Sequence, residues 1–168
     1  TKDEIVKDLS FGTDASSKIM AGVNKLASAV KSTLGASGMC VIYEDQLGRP
    51  VVTKDGVTVA RNVVLMDPVE NIGATMIKEA ANKTVAEAGD GTTTSTVLAQ
   101  SILEELRSAI DEGMSVREAV NGVNSYLNKV LKHLDKNAIE VNRAMLSDVA
   151  TISCNNDREL GEIIGKAY

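Results

Sequence analysis

A chain of 168 residues, 43% of them hydrophobic, is long enough to close a packed core without disulfide or metal staples and too apolar to stay disordered. Its charges are mixed in sign and sum to −5, and aromatics are 2%, which excludes the basic, ring-bearing surface that nucleic acid requires. No apolar run approaches the roughly 20 residues of a membrane span, so no membrane partner is expected either.

The opening TKDEIVKDLS lacks an apolar stretch before a small-residue cleavage site, so no secretory signal is expected in it. The expected location is the cytoplasm, with an organelle matrix as the alternative. Cys40 and Cys154 have no partner at metal-ligand spacing and are expected as free thiols. Ile19, Met20, Val23, Leu26, Ala27, Val30 and Leu34 keep one helical face, with Asp14 as expected N-cap and Gly35 as stop. MCVIY and RPVVT, separated by EDQLG, read as a hairpin with Pro50 on an exposed edge. DGVTVARNVVL reads either as a strand or as a short helix capped by Asp55.

Asp67-Pro68-Val69-Glu70 is an N-cap, a proline at the first helical position and an acid at the third. The helix it opens is expected to bury Ile72, Met76, Ala80 and Ala81 and to stop at Gly89. Another follows from about Thr92 through Val97, Leu98, Ile102, Leu106 and Ile110. The capping box Ser115-Val116-Arg117-Glu118 starts a helix whose apolar face is Val116, Ala119, Val120, Val123, Leu127, Val130, Leu131 and Leu134. His133 falls on its polar side and is expected in solvent. A boundary is expected near Lys136 to Asn137, then a short helix near 143–149 and a last one from Asp157. That last pattern is still running at Tyr168, as in a portion of a longer chain.

Residues 88–98, AGDGTTTSTVL, carry the chemistry. A turn in which Gly89 ends one helix, Asp90 caps the next and Gly91 relaxes the bend accounts for Gly-Asp-Gly. It does not account for Thr92, Thr93 and Thr94, which together cost about 2 kcal/mol of helix propensity. A helix N-terminus with unpaired amides, a positive dipole end and added hydroxyls is an anion cradle, and phosphate fits it. A carboxylate beside phosphate implies a cation between them, so Asp90 points to Mg²⁺. The helix end alone contributes at most ~2 kcal/mol, too little to hold a polyphosphate on an acidic protein. Two further segments, Thr33 to Gly38 and Thr53-Lys54-Asp55-Gly56, read either as surface turns or as other lips of one site, with Lys54 toward phosphate and Asp55 toward a water or metal. GEIIGKA is no Walker A loop, because Ala167 stands where Ser or Thr must hold magnesium.

In this order, TLGASG, TKDGVTVAR, the run from Glu70 to Ile102, and VATISCNND resemble a group I chaperonin, an ATP-driven ring-forming foldase, from about Phe11 to Ile164. The resemblance implies a mainly α fold, an equatorial-domain helical bundle with a small β-hairpin, left incomplete by these residues. Residues 1–136 would be the first half of the equatorial ATPase domain and 137–168 the start of the intermediate domain. By the same likeness Thr33, Leu34, Gly35 and Ala36 line the nucleotide, and Lys54 lies near its phosphates. Asp90 holds Mg²⁺, while Gly91, Thr92, Thr93 and Thr94 supply amides and hydroxyls. Asp55 resembles an assisting acid beside the attacking water, and K⁺ would take oxygens from Thr33, Lys54 and Thr93. Ala36 to Met39 depart from the proline and basic residues usual in the family. Implied partners are a homo-oligomeric, seven-membered ring, unfolded protein bound through an apical domain outside these residues, and a co-chaperonin lid. The main catalytic aspartate also lies outside them, so this portion alone is expected to be inactive. Two rival readings are an ATPase-dead helical interaction module and a small phosphotransferase.

Overall fold

In the computed structural model, which describes residues 11–35, 37–45 and 47–168, the chain is mainly helical with one two-stranded sheet. Of the expectations above, those on the first ten residues and on Ala36 lie outside the described residues. The chain divides into two compact units, Thr1–Ala119 and Val120–Tyr168.

In the first unit, helix α1 spans Gly12–Lys31. It differs from expectation at both ends. Phe11 is the N-cap and gives no side-chain cap, so Asp14 lies inside the first turn. At the other end the hydroxyls of Ser32 and Thr33 fold back onto the carbonyls of Ala29 and Val30, each at 2.7 Å, and close the helix before Gly35. Strands β1 (Val41–Glu44) and β2 (Pro50–Thr53) pair antiparallel, with Val41 opposite Thr53 and Glu44 opposite Pro50. Asp45 sets their turn: its carboxylate accepts from the amides of Leu47 and Arg49 at 2.8 and 2.9 Å.

The ambiguous segment is a helix, α2 (Gly56–Asn62). Its valines favour a strand, but Asp55 accepts from the amides of Val57 and Thr58, and Val59 and Ala60 are buried. Helix α3 (Pro68–Ala88) starts at Asp67, whose side chain caps the amides of Val69 and Glu70, and ends at Gly89 with φ 77°. Its buried face is Gly73, Ala74, Ile77 and Ala81, whereas Ile72 and Met76 are more than half exposed, contrary to expectation. The reason is a close crossing with α1. A Cβ on Gly22 would collide with the Glu70 carbonyl, and one on Gly73 with the Ile19 carbonyl. Small residues, not the largest apolar ones, therefore choose the contact face.

Helix α4 (Thr92–Asp111) turns Ala99 and Leu103 to a core built from Val23, Leu26 and Val30 of α1, Val59 and Ala60 of α2, and Ala74 and Ile77 of α3. Helix α5 spans Val116–Asn137. Its capping box forms as read: the Glu118 amide donates to the Ser115 hydroxyl at 3.2 Å, and the Ser115 amide donates to the Glu118 carboxylate at 3.1 Å. Of its apolar face only Ala119 is buried. His133 is exposed.

In the second unit a 3-10 turn at Arg143–Met145, capped by Asn142, leads into α6 (Leu146–Ser153) and then α7 (Arg158–Ala167), capped by Asp157. These two helices also meet through small residues, Gly161 against Thr151 and Gly165 against Ser147. Asn155 and Asn156, both left-handed, reverse the chain between them. Cys40 and Cys154 are free thiols. Among the described residues no helix is long and apolar enough to cross a membrane.

Candidate phosphate site

Three segments distant in sequence meet at Gly56. This residue opens α2 and is buried; a Cβ on it would press on the Thr93 hydroxyl and come within 3.2 Å of Thr33 Oγ1 and 3.4 Å of Val30 Cγ1. The end of α1, the start of α2 and the first turn of α4 are thereby held against one another. Chain continuity keeps Leu34 beside Thr33, Lys54 two residues before Gly56, and Asp90 three residues before Thr93. Glycine at position 56 stood inside the Thr53 to Gly56 segment read from the sequence, but was given no role of its own. Its signal was the pairing of an aspartate cap with a glycine where alanine would serve a helix better.

The two aspartates are used differently. Asp55 accepts from the amides of Val57 (3.1 Å) and Thr58 (2.9 Å) and from the Thr58 hydroxyl (2.5 Å). Burial pushes its carboxyl up, but these bonds and the charge of Arg61 outweigh it and leave Asp55 below the ordinary carboxylate value, hence ionised at neutral pH. Asp90 lies between Gly89 (φ 77°) and Gly91 (φ 90°), both left-handed. It does not cap α4, as the simple turn reading required. The N-cap is Gly91, no side chain caps the helix, and among the described residues the Asp90 carboxylate accepts only from the adjacent Gly91 amide at 2.6 Å. The left-handed glycines carry the carboxylate past the capping position, and it remains exposed.

The hydroxyl cluster divides. Ser95 and Thr96 donate back to the Thr92 carbonyl at 2.9 and 2.8 Å, and Thr96 is fully buried, so these two serve packing within the helix. Thr93 is half-buried at the Gly56 junction, and Thr94 is exposed. Thr92 is 5% exposed, and its hydroxyl is the one buried side-chain polar atom among the described residues with no hydrogen-bond partner. An unsatisfied buried hydroxyl costs about 1–3 kcal/mol, a penalty expected where a ligand completes the bonding.

At the α1 end, Thr33 is half-buried, while Leu34 and Gly35 are exposed and Gly35 has φ 76°. The Met39 amide donates to the Ser32 carbonyl at 2.8 Å and folds this loop back. Lys54 is exposed.

The residues present suit a phosphate group and a magnesium ion. The uncapped first turn of α4 offers amides and the positive helix end, Thr92 offers an unused hydroxyl, and Gly56, lacking a Cβ, lets Thr93 and Thr33 approach one another closely. Among the described residues no group of three or more His, Cys, Asp or Glu is assembled to hold a metal. A lone carboxylate at Asp90 suits Mg²⁺, which keeps several waters and takes remaining ligands from phosphate. A separate hollow of about 480 Å³ between α1 and α4 is unlike this site. Its Arg107 is spent on the Ser16 carbonyl (3.0 Å) and the Ser17 hydroxyl (2.9 Å) as a clamp between helices.

Residues 26–168 match the family described as the TCP-1/cpn60 chaperonin family. A group III chaperonin, solved in its open state, is 32% identical, with a TM-score of 0.75 over 92% of this chain and 31% of that one. Chaperonin gp146 of bacteriophage EL 2 (Pseudomonas aeruginosa), crystallised in the presence of ATP-BeFx, is 31% identical, with a TM-score of 0.80 over 94% of this chain and 28% of that one. The present chain thus spans less than a third of the length of these relatives. Their kinds carry the likeness to the family and not to its group I branch.

Proposed function

The chain belongs to the TCP-1/cpn60 chaperonin family, and from that premise we propose that it is part of an ATP-hydrolysing, ring-forming foldase subunit of the group I kind, carrying the phosphate and magnesium wall of its nucleotide site. The observation that supports this reading most is the junction at Gly56, where Thr33 and Thr93 close on one glycine.

The residues divide the work. The α4 amides and the hydroxyls of Thr92, Thr93 and Thr94 bind phosphate oxygens, with Gly91 turning the first of those amides outward. Asp90 is the protein ligand of magnesium, which when bound neutralises phosphate charge and polarises the reacting phosphoryl group. Lys54 adds countercharge. Thr33, Leu34 and Gly35 line the nucleotide, and oxygens of Thr33, Lys54 and Thr93 suit K⁺. Asp55, ionised and fixed by its cap bonds, orients the attacking water as an assisting acid-base group. Residues 1–136 would belong to the equatorial domain and 137–168 to the intermediate domain, with nucleotide-driven movement near Lys136 to Val141. The hairpin would pair with a neighbour in a homo-oligomeric ring of seven that acts on unfolded protein beneath a co-chaperonin lid, in the cytoplasm or an organelle matrix.

The test is phosphate release by the full-length protein. Turnover that requires Mg²⁺ and is lost in Gly56→Val is expected. An absence of both nucleotide binding and turnover would favour a helical interaction module instead, and phosphoryl transfer to a soluble substrate by residues 1–168 alone would favour a phosphotransferase.

A further inference from the structure

Helix α2 has seven residues, about two turns, and a helix that short does not persist without tertiary anchors. Its start is held by the Asp55 cap and its middle by the burial of Val59 and Ala60. Its far end is held differently. The chain leaves the helix at Val63 in an extended conformation, and the carbonyls there turn to a side chain from α3. The Lys78 ammonium donates to the carbonyl of Val63 and, at 3.4 Å, to that of Arg61. Asn71, two turns earlier on α3, accepts from the Leu65 amide at 3.1 Å.

Lys78 is an unusual choice for this duty. Burial alone pushes its ammonium below the ordinary lysine value, and among the described residues no carboxylate pairs with it. A partly desolvated cation that serves these carbonyls fixes the helix end, because charge and helix dipole then reinforce each other. The other end of that helix carries Asp55 and Gly56.

We propose that Lys78 is a positioning residue for the phosphate site: by gripping the C-terminal carbonyls of α2 it sets where Asp55 and Gly56 stand against Thr33 and Thr93. This rests on the reading of Asp55 as the acid beside the attacking water. Phosphate and nucleotide contacts are assigned mainly to α4 and the α1 loop, with Lys54 adding countercharge, and the Lys78 ammonium bonds only carbonyls of Arg61 and Val63, so loss of its grip should disturb chemistry more than binding.

The experiment compares full-length wild type, Lys78→Met, which keeps the stem and removes the charge, and Lys78→Arg, which keeps a cationic donor. Two readouts are taken: steady-state Mg-ATP hydrolysis, and native-state hydrogen exchange at the α2 amides of Val59 and Val63, which donate to Asp55 and Val59 at 3.0 and 3.2 Å. Expected for Lys78→Met is a kcat roughly tenfold lower with KM within about twofold, and α2 exchange about tenfold faster; Lys78→Arg recovers most of both. Unchanged exchange overturns the anchoring. Faster exchange with an unchanged kcat overturns the link to the site. Hydrolysis absent from wild type, with exchange responding as expected, overturns the reading of the site and the positioning role built on it, while leaving the anchor.

Discussion

The dipeptide aspartate-glycine occurs at two turns of the candidate site, and its two copies do opposite work. At Asp55-Gly56 the carboxylate takes three donors from its own helix; at Asp90-Gly91 it takes one amide and stays exposed. Sequence spacing could not separate them, because both precede a helix and both suit a cap. Backbone conformation does: Gly91 is left-handed, and it moves the carboxylate out of capping range. The threonine excess was legible as an anomaly, but its division was not, since the back-bonding of Thr96 and the orphan hydroxyl of Thr92 depend on which side of α4 is buried. Asn also caps helices, so Asp55→Asn should leave α2 formed, by unchanged exchange at Val59, while lowering kcat at least roughly tenfold. Full turnover in that variant would remove Asp55 from the chemistry.

At the scale of elements, most caps were readable, Asp14 and Asp90 excepted, and the buried faces less so. Asp67, Asp157 and Ser115 with Glu118 start helices where their residue types predict, because capping is local chemistry. Which face of α3 is buried is a tertiary matter decided by how closely α1 approaches, and large apolar residues misled there. Gly73→Ala should therefore destabilise the fold by about 1–3 kcal/mol in urea unfolding, and Ile72→Ala by much less. Equal costs would contradict the close crossing. Caps also set an acid limit. Asp55 and Asp67 both lie below the ordinary value of 3.8, so the unfolded chain binds their protons more tightly than the folded one. Their contribution is fully present above that ordinary value and is lost as pH falls through the lowered folded values. Urea midpoints taken downward from pH 5 should fall in that window, and less steeply in Asp55→Asn; parallel slopes would speak against the cap.

For the whole molecule, composition weighed against nucleic-acid and membrane partners as an expectation, and the order of the motifs pointed to the family that the comparison shows. The branch within the family is a different matter: the motifs resemble group I, whereas the solved relatives are a group III and a phage chaperonin. Much apolar surface is left outward: Val120, Val123, Leu127, Val130 and Leu131 on α5, and Ile42 and Val52 on the hairpin. The hairpin is proposed to pair with a neighbouring subunit. Val52→Asp, at a position 61% exposed, should then leave the subunit folded and dissociate the full-length ring in native mass measurement. An intact ring would assign assembly to another surface.

The proposed site is a magnesium-bridged phosphate cradle on α4 with Asp90 as its protein ligand. Titrating a non-hydrolysable ATP analogue into the full-length protein, with and without Mg²⁺, for wild type and Asp90→Ala, tests it most directly. Wild type should bind at least roughly tenfold more tightly with magnesium, a difference of about 1.4 kcal/mol, and Asp90→Ala should lose that dependence. The same magnesium dependence in both proteins would contradict the assignment.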